Sequence, residues 1–146
     1  MKILFLDIDG VLVSDSSFVL YGKMPRSPGV NWDCFNPVAV ALLQKIVRDT
    51  GAVCVLSSSW RVLCDLVALG KRLGVTFVGK TGRQAATRGK EIEQWLTVNP
   101  EVESYVILDD RSDFHDDQKP FLVRTQFSDG LNMDGCYKAI SLLGLK

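Results

Sequence analysis

Four short stretches carry residues whose types and spacing could do chemistry. Asp7 and Asp9 stand one residue apart just after an apolar run, followed by Gly10. Ser57, Ser58 and Ser59 end a second apolar run. Asp109 and Asp110 end a third. Arg88 and Lys90 precede an amphipathic segment. If Asp7 and Asp9 continue a strand, both side chains point to one face and Ile8 points to the other. Two like charges so placed repel unless a cation or a shared proton holds them together. Carboxylates with water and phosphate oxygens suit Mg2+. Serine hydroxyls and amides at a strand-to-helix turn suit an anion.

The elements that position these residues follow from the pattern. Ile3 to Leu6 is a continuous apolar run, as in a strand buried on both faces of a parallel sheet. Phe18 to Lys23, rich in β-formers and ending in Gly-Lys, reads as a small hairpin or flap, with Met24 to Phe35 a loop. Asn36 is an N-cap with Pro37 at the first helical position, and the helix runs from Val38 to about Asp49 before Gly51. Ala52 to Leu56 is the second strand, followed by a helix from about Val62 to Leu73 and a strand from Val75 to Val78. A loop over 79 to 88 leads to a helix from Glu91 to Val98, which Asn99-Pro100 stops. Ser104 to Leu108 and Phe121 to Val123 are strands, and Asn132 caps the closing helix.

Strands alternating with helices, with no internal repeat and no linker, predict one α/β domain over 1–146. The expected core is a doubly wound, mainly parallel sheet between helices. Ligands bind such sheets at the carboxyl ends of the strands. Three strands here end in polar residues, with four carboxylates among them, so a metal and phosphate site at that edge is expected.

Composition sets outer bounds. The chain has 146 residues, 47% hydrophobic and 23% charged, enough to bury a core unaided. Lysine plus arginine equals aspartate plus glutamate, 17 each, so no global field argues for nucleic acid or a membrane. The four cysteines form no Cys-x-x-Cys pair and there is one histidine, His115, so zinc-ligand spacing is absent. No apolar run reaches membrane-spanning length, and a reducing cytoplasm is the expected setting. Charge is uneven locally: Leu66 to Lys90 holds six basic residues and no acid, either a solvated basic surface or a track for a phosphodiester backbone.

The motif order resembles the haloacid dehalogenase (HAD) superfamily, most of whose members are phosphohydrolases. Asp7-Ile8-Asp9-Gly10-Val11 resembles its first motif and Val53-Cys54-Val55-Leu56-Ser57 its second. Arg88-Gly89-Lys90-Glu91-Ile92 resembles the third and Val106-Ile107-Leu108-Asp109-Asp110 the fourth. The strings Ser-Ser-Ser-Trp-Arg, Arg-Gly-Lys-Glu-Ile and Leu-Asp-Asp-Arg are similar to small HAD domains grouped with bacterial and phage RNA-repair proteins.

The resemblance implies that Asp7 is the nucleophile that takes the phosphoryl group and Asp9 the general acid and base. It implies Ser57 and the Ser58 amide as phosphate ligands, and Arg88 or Lys90 as the fixed cation. Mg2+ would be held by Asp7, the Asp9 carbonyl and a motif IV acid, Asp109 first, with Asp110 orienting or sharing the metal. Asp113 is either an outer-shell acid or a solvated charge, and Arg61 either steers a substrate phosphate or packs. The gaps between motifs leave no room for a cap domain, so the site should be open. The expected activity is Mg2+-dependent phosphomonoester hydrolysis, with a nucleotide or an RNA or DNA end as substrate. A phosphoprotein phosphatase and a non-catalytic phosphate- or partner-binding module are the alternatives.

Overall fold

The computed structural model describes residues 1–146. Five strands form one sheet: β1 (Lys2–Leu6), β2 (Val53–Leu56), β3 (Phe77–Lys80), β4 (Ser104–Asp109) and β5 (Leu122–Arg124). Their spatial order is β3-β2-β1-β4-β5, and every pairing is parallel. Five helices connect or flank them: α1 (Asp15–Leu20), α2 (Pro37–Thr50), α3 (Leu66–Leu73), α4 (Arg88–Thr97) and α5 (Met133–Leu143).

The period of two along β1 sorts its side chains into two cores. Leu4, Leu6 and Ile8 join the larger cluster with Leu42, Leu43 and Ile46 of α2, Leu69 and Leu73 of α3, and Ala139 and Leu143 of α5. Ile3 and Phe5 join the smaller one, with Ile92 of α4, Val55 and Ile107. The sheet is therefore covered on both faces, and its strands can be apolar throughout. The strand order reverses direction between β1 and β4, the switch point where open α/β sheets place their ligands.

Several boundaries depart from the sequence expectations. The segment after β1 is a helix rather than a hairpin. Ser14 and Ser17 form a reciprocal capping box, which satisfies the first free amides of α1. Phe18 alone turns into the core, while Val19 and Leu20 stay exposed with no strand to pair with. The helix expected from Val62 starts later. Ser59–Val62 is a 3-10 turn capped by Ser58, and Asp65 opens α3 by accepting from the Val67 amide. Strand β3 lies two residues further along than predicted, because Gly74, in the left-handed region, carries the chain past Val75 before pairing starts. Helix α4 begins three residues early, capped by Thr87, so Arg88 is its first residue. β5 is shifted by one residue. No cap domain intervenes: only α1, a loop and α2 separate β1 from β2. No helix is long and apolar enough to cross a membrane.

Candidate active site

Register brings the three polar strand ends level. Leu6 of β1 pairs with Leu56 of β2 and with Leu108 of β4. Asp7, Ser57 and Asp109 are each the next residue, so they stand side by side along the carboxyl edge. Backbone bonds continue the row: the Ser57 amide donates to the Leu6 carbonyl at 2.9 Å and the Asp7 amide to the Leu108 carbonyl at 3.0 Å. One carboxylate oxygen from each of Asp7, Asp109 and Asp110 lies within 4.8 Å of the others.

Asp7 is 5% exposed and Asp109 fully buried. Burial first, and the Asp109 charge next, hold the Asp7 carboxyl well above its ordinary range, with Arg88 pulling it partly back. Burial likewise pushes Asp109 up to about 6, against the pull of Arg88. Such a crowd of acids wants a cation. The protein supplies one in Arg88, whose Nη1 donates to Asp109 Oδ2 at 3.0 Å and lies 3.5 Å from Asp7 Oδ1. Asp109 also accepts the Arg111 amide on Oδ1. The Asp110 carboxylate has no hydrogen-bond partner, and an all-oxygen set of this kind fits a hard divalent ion such as Mg2+. Gly10 makes this geometry possible: with φ at +83°, a Cβ there would stand 2.4 Å from Asp110 Cγ.

The structure thus brings Arg88, and not Lys90, to the carboxylates. Lys90 is exposed on the outer face of α4 and pairs with Glu93. Asp9 stands apart from the three-acid cluster. Its carboxylate accepts from Trp60 Nε1 at 3.0 Å, and burial raises its pKa while that bond lowers it. Asp9 lines two adjoining cavities, of about 250 and about 340 Å³, under the loop of residues 26–30. Ser57 is fully buried with a hydroxyl that has no partner, and the Ser58 hydroxyl caps the 3-10 turn.

Other residues hold the site through contacts that the sequence reading did not specify. Glu91 bonds Arg61 at 2.8 Å and lies 3.7 Å from Arg88 Nε, so it clamps two buried guanidiniums. Its i, i+3 spacing from Arg88 was a signal available in the sequence. Arg61 is a scaffold: Nη1 donates to the carbonyls of Ser57 and Ser58, closing the serine turn. Asp113 lies outside the acid cluster; it accepts the Arg88 amide and a forked Arg111 guanidinium, which anchors the start of α4. Gly89 lets that start dock on the 113–118 loop, where a Cβ would meet Gln118 Oε1 at 2.6 Å. Trp60 packs against Trp32 and Phe35 at 5.7 and 5.5 Å while its indole holds Asp9. Nothing in its sequence position announced that bond.

The motif order has a counterpart among known families. A family model described as the HAD domain in Swiss Army Knife RNA repair proteins matches residues 3–135. The chain belongs to that family. No curated protein and no solved structure matches it. The match takes in all four motifs of this HAD domain, from β1 to the first turn of α5. The HAD core carries no cap domain, yet the expected openness is not seen at the residues themselves: Asp7, Ser57, Arg88 and Asp109 are all buried at the sheet edge.

Proposed function

We propose that this HAD domain is a Mg2+-dependent phosphomonoesterase that works through an aspartyl-phosphate on Asp7. The observation that carries the reading is the row Ser57–Asp7–Asp109, level at the sheet edge, with Arg88 between the two acids. A carboxylate attacking a phosphate dianion needs its charge offset. Arg88 offsets part of it, and Asp7, Asp109, Asp110 and the Asp9 carbonyl would hold Mg2+. When bound, that ion neutralises the carboxylates and the phosphoryl oxygens it touches.

In the first step an Asp7 oxygen bonds to phosphorus and the ester P–O bond breaks. Asp9, whose carboxyl burial shifts toward the protonated form, gives its proton to the leaving oxygen. In the second step Asp9 takes a proton from water, whose oxygen bonds to phosphorus as the Asp7–phosphorus bond breaks, releasing phosphate. The Ser57 hydroxyl and the Ser58 amide hold the phosphoryl oxygens. The hydroxyl's lack of a partner inside the protein supports that role. Arg61 keeps the serine turn closed. The cavities beside Asp9 take the leaving group. With a family found in RNA repair proteins, the substrate is the terminal phosphate of a nucleotide or polynucleotide.

The test is hydrolysis of a generic phosphomonoester with and without Mg2+, comparing wild type with Asp7→Asn. Turnover that needs Mg2+ and falls at least about 10³-fold in Asp7→Asn is the expected result. Turnover that survives the substitution would overturn the mechanism.

A further inference from the structure

Beside the site, on the β3 flank, lies a cavity of about 660 Å³ that the reaction at Asp7 does not use. Most of its lining residues are polar, with Val62 the one hydrophobic side chain, and aliphatic stems make up part of the wall. Arg61, Lys80 and Arg83 line it, with Gln84 and Gln94, and no carboxylate does. Arg83 is exposed and makes no ion pair or side-chain hydrogen bond. Lys80 has no carboxylate partner either; its ammonium donates once, to the Arg61 carbonyl at 3.1 Å. Cationic side chains standing together without acids repel one another until an anion joins them.

The sheet connects this cavity to the reaction centre. The Thr81 amide donates to the Leu56 carbonyl at 3.0 Å, so Thr81 extends the row of Ser57, Asp7 and Asp109 by one strand. Thr81 is 2% exposed, lines the cavity, and its hydroxyl has no partner. Four buried polar side-chain atoms lack a partner, on Ser57, Arg61, Thr81 and Glu91. All belong to the stretch between Asp7 and this cavity. Two strand spacings separate Thr81 from Asp7, about 10 Å. A nucleotide or two of an extended strand covers that distance.

We propose that the cavity formed by Lys80, Thr81, Arg83, Gln84 and Gln94 is a second anion site, which holds an internal phosphodiester of a single-stranded polynucleotide whose terminal phosphate lies at Asp7. The proposal rests on the phosphomonoesterase reading of the Asp7 site. Lys80 and Arg83 neutralise the diester, and the glutamine amides bond to sugar and phosphate oxygens. No aromatic side chain lines the cavity, so a base has no ring to stack on and the cavity takes backbone, reading the presence of a strand and not its sequence.

The test is fluorescence anisotropy of the full chain with labelled ten-nucleotide RNA and DNA strands carrying no terminal phosphate, at several salt concentrations. Arg83→Glu reverses an exposed charge that makes no ion pair or side-chain hydrogen bond, so the fold is not at stake. It should weaken binding at least about tenfold. Lys80→Ala with Arg83→Ala should flatten the salt dependence by about 0.7 in log–log slope, the value for one lost phosphate contact. Equal losses for RNA and DNA mean the diester alone is read, and a loss confined to RNA adds the 2′-hydroxyl; both support the site. No binding by wild type, binding unchanged in both variants, or tighter binding of a phosphopeptide of equal charge overturns it. Because the strands lack the scissile phosphate, this outcome is independent of turnover. Failure of phosphomonoester hydrolysis with strand binding intact would instead count against the Asp7 mechanism.

Discussion

Arg88 and Lys90 lie two residues apart in one short string, yet their surroundings separate their roles. The Arg88 guanidinium is buried against Asp7 and Asp109, whereas Lys90 pairs at the surface with Glu93. Arg88→Ala should lower Mg2+-dependent turnover at least about 100-fold, the usual cost of removing a fixed donor from developing charge. Lys90→Ala should stay within about twofold, as a surface change does. Parallel kinetics on the two variants would check the assignment, and equal losses would refute it. Glu91 offers a stability test at the same scale. Its removal leaves the buried Arg61 guanidinium without a carboxylate, while Arg88 keeps Asp109 and Asp7, so Glu91→Ala should cost about 3–5 kcal/mol in urea unfolding. Glu91→Gln, which keeps the hydrogen bond to Arg61, should cost less.

At the scale of elements, α4 is the part whose placement the chemistry depends on. Three interactions dock its first turn: the Thr87 cap, the Asp113 carboxylate on the Arg88 amide, and the close approach of Gly89 to the 113–118 loop. Gly89→Ala should push the turn off that loop, costing about 1–3 kcal/mol by overpacking. It should also lower turnover, because Arg88 moves with the turn. Asn36→Ala is the matched control. It removes the cap of α2, which accepts from the Val38 and Ala39 amides, and should cost about 1 kcal/mol without changing turnover per folded molecule. Thermal unfolding and kinetics on both variants would separate a positioning helix from a merely supporting one.

For the molecule as a whole, the acid cluster ties stability to pH and, on the proposed reading, to metal. Asp109 has an ordinary value of 3.8 and is pushed up to about 6 in the fold, and burial raises Asp7 as well. A carboxyl raised on folding binds its proton more tightly in the native state, so the contribution is stabilising at low pH and is lost as pH rises. The metal-free protein should therefore lose stability between about pH 4 and about pH 6 from these groups. Mg2+ competes with those protons, so it should raise the melting temperature more at pH 7.5 than at pH 5. Melting curves with and without Mg2+ at the two pH values would test this. An equal shift at both would mean that the cluster does not hold the ion.

Much of this protein was legible in the chain because it rests on local signals. Apolar runs ending in Asp or Ser marked β1, β2 and β4, and Asn36-Pro37 and Gly51 marked both ends of α2. The four motifs in order carried the family, and they contain the three acids that the sheet edge brings together. Misreadings came where a tertiary partner outweighed propensity. Phe18 to Tyr21 looked like strand, but only Phe18 had a core to enter and a serine capping box started a helix. The start of β3 depended on its pairing with β2, and a two-residue shift carried Thr81 from a loop into the row beside Ser57. Sequence alone left the motif III cation open because Arg88 and Lys90 share a chemistry; burial beside two carboxylates distinguishes them. The contacts of Trp60 with Asp9, of Arg61 with the serine turn and of Glu91 with two arginines join residues 51, 4 and 30 positions apart or more closely spaced on one helix turn. Local sequence determines which residues are available for chemistry, whereas the parallel register of the sheet determines which of them meet.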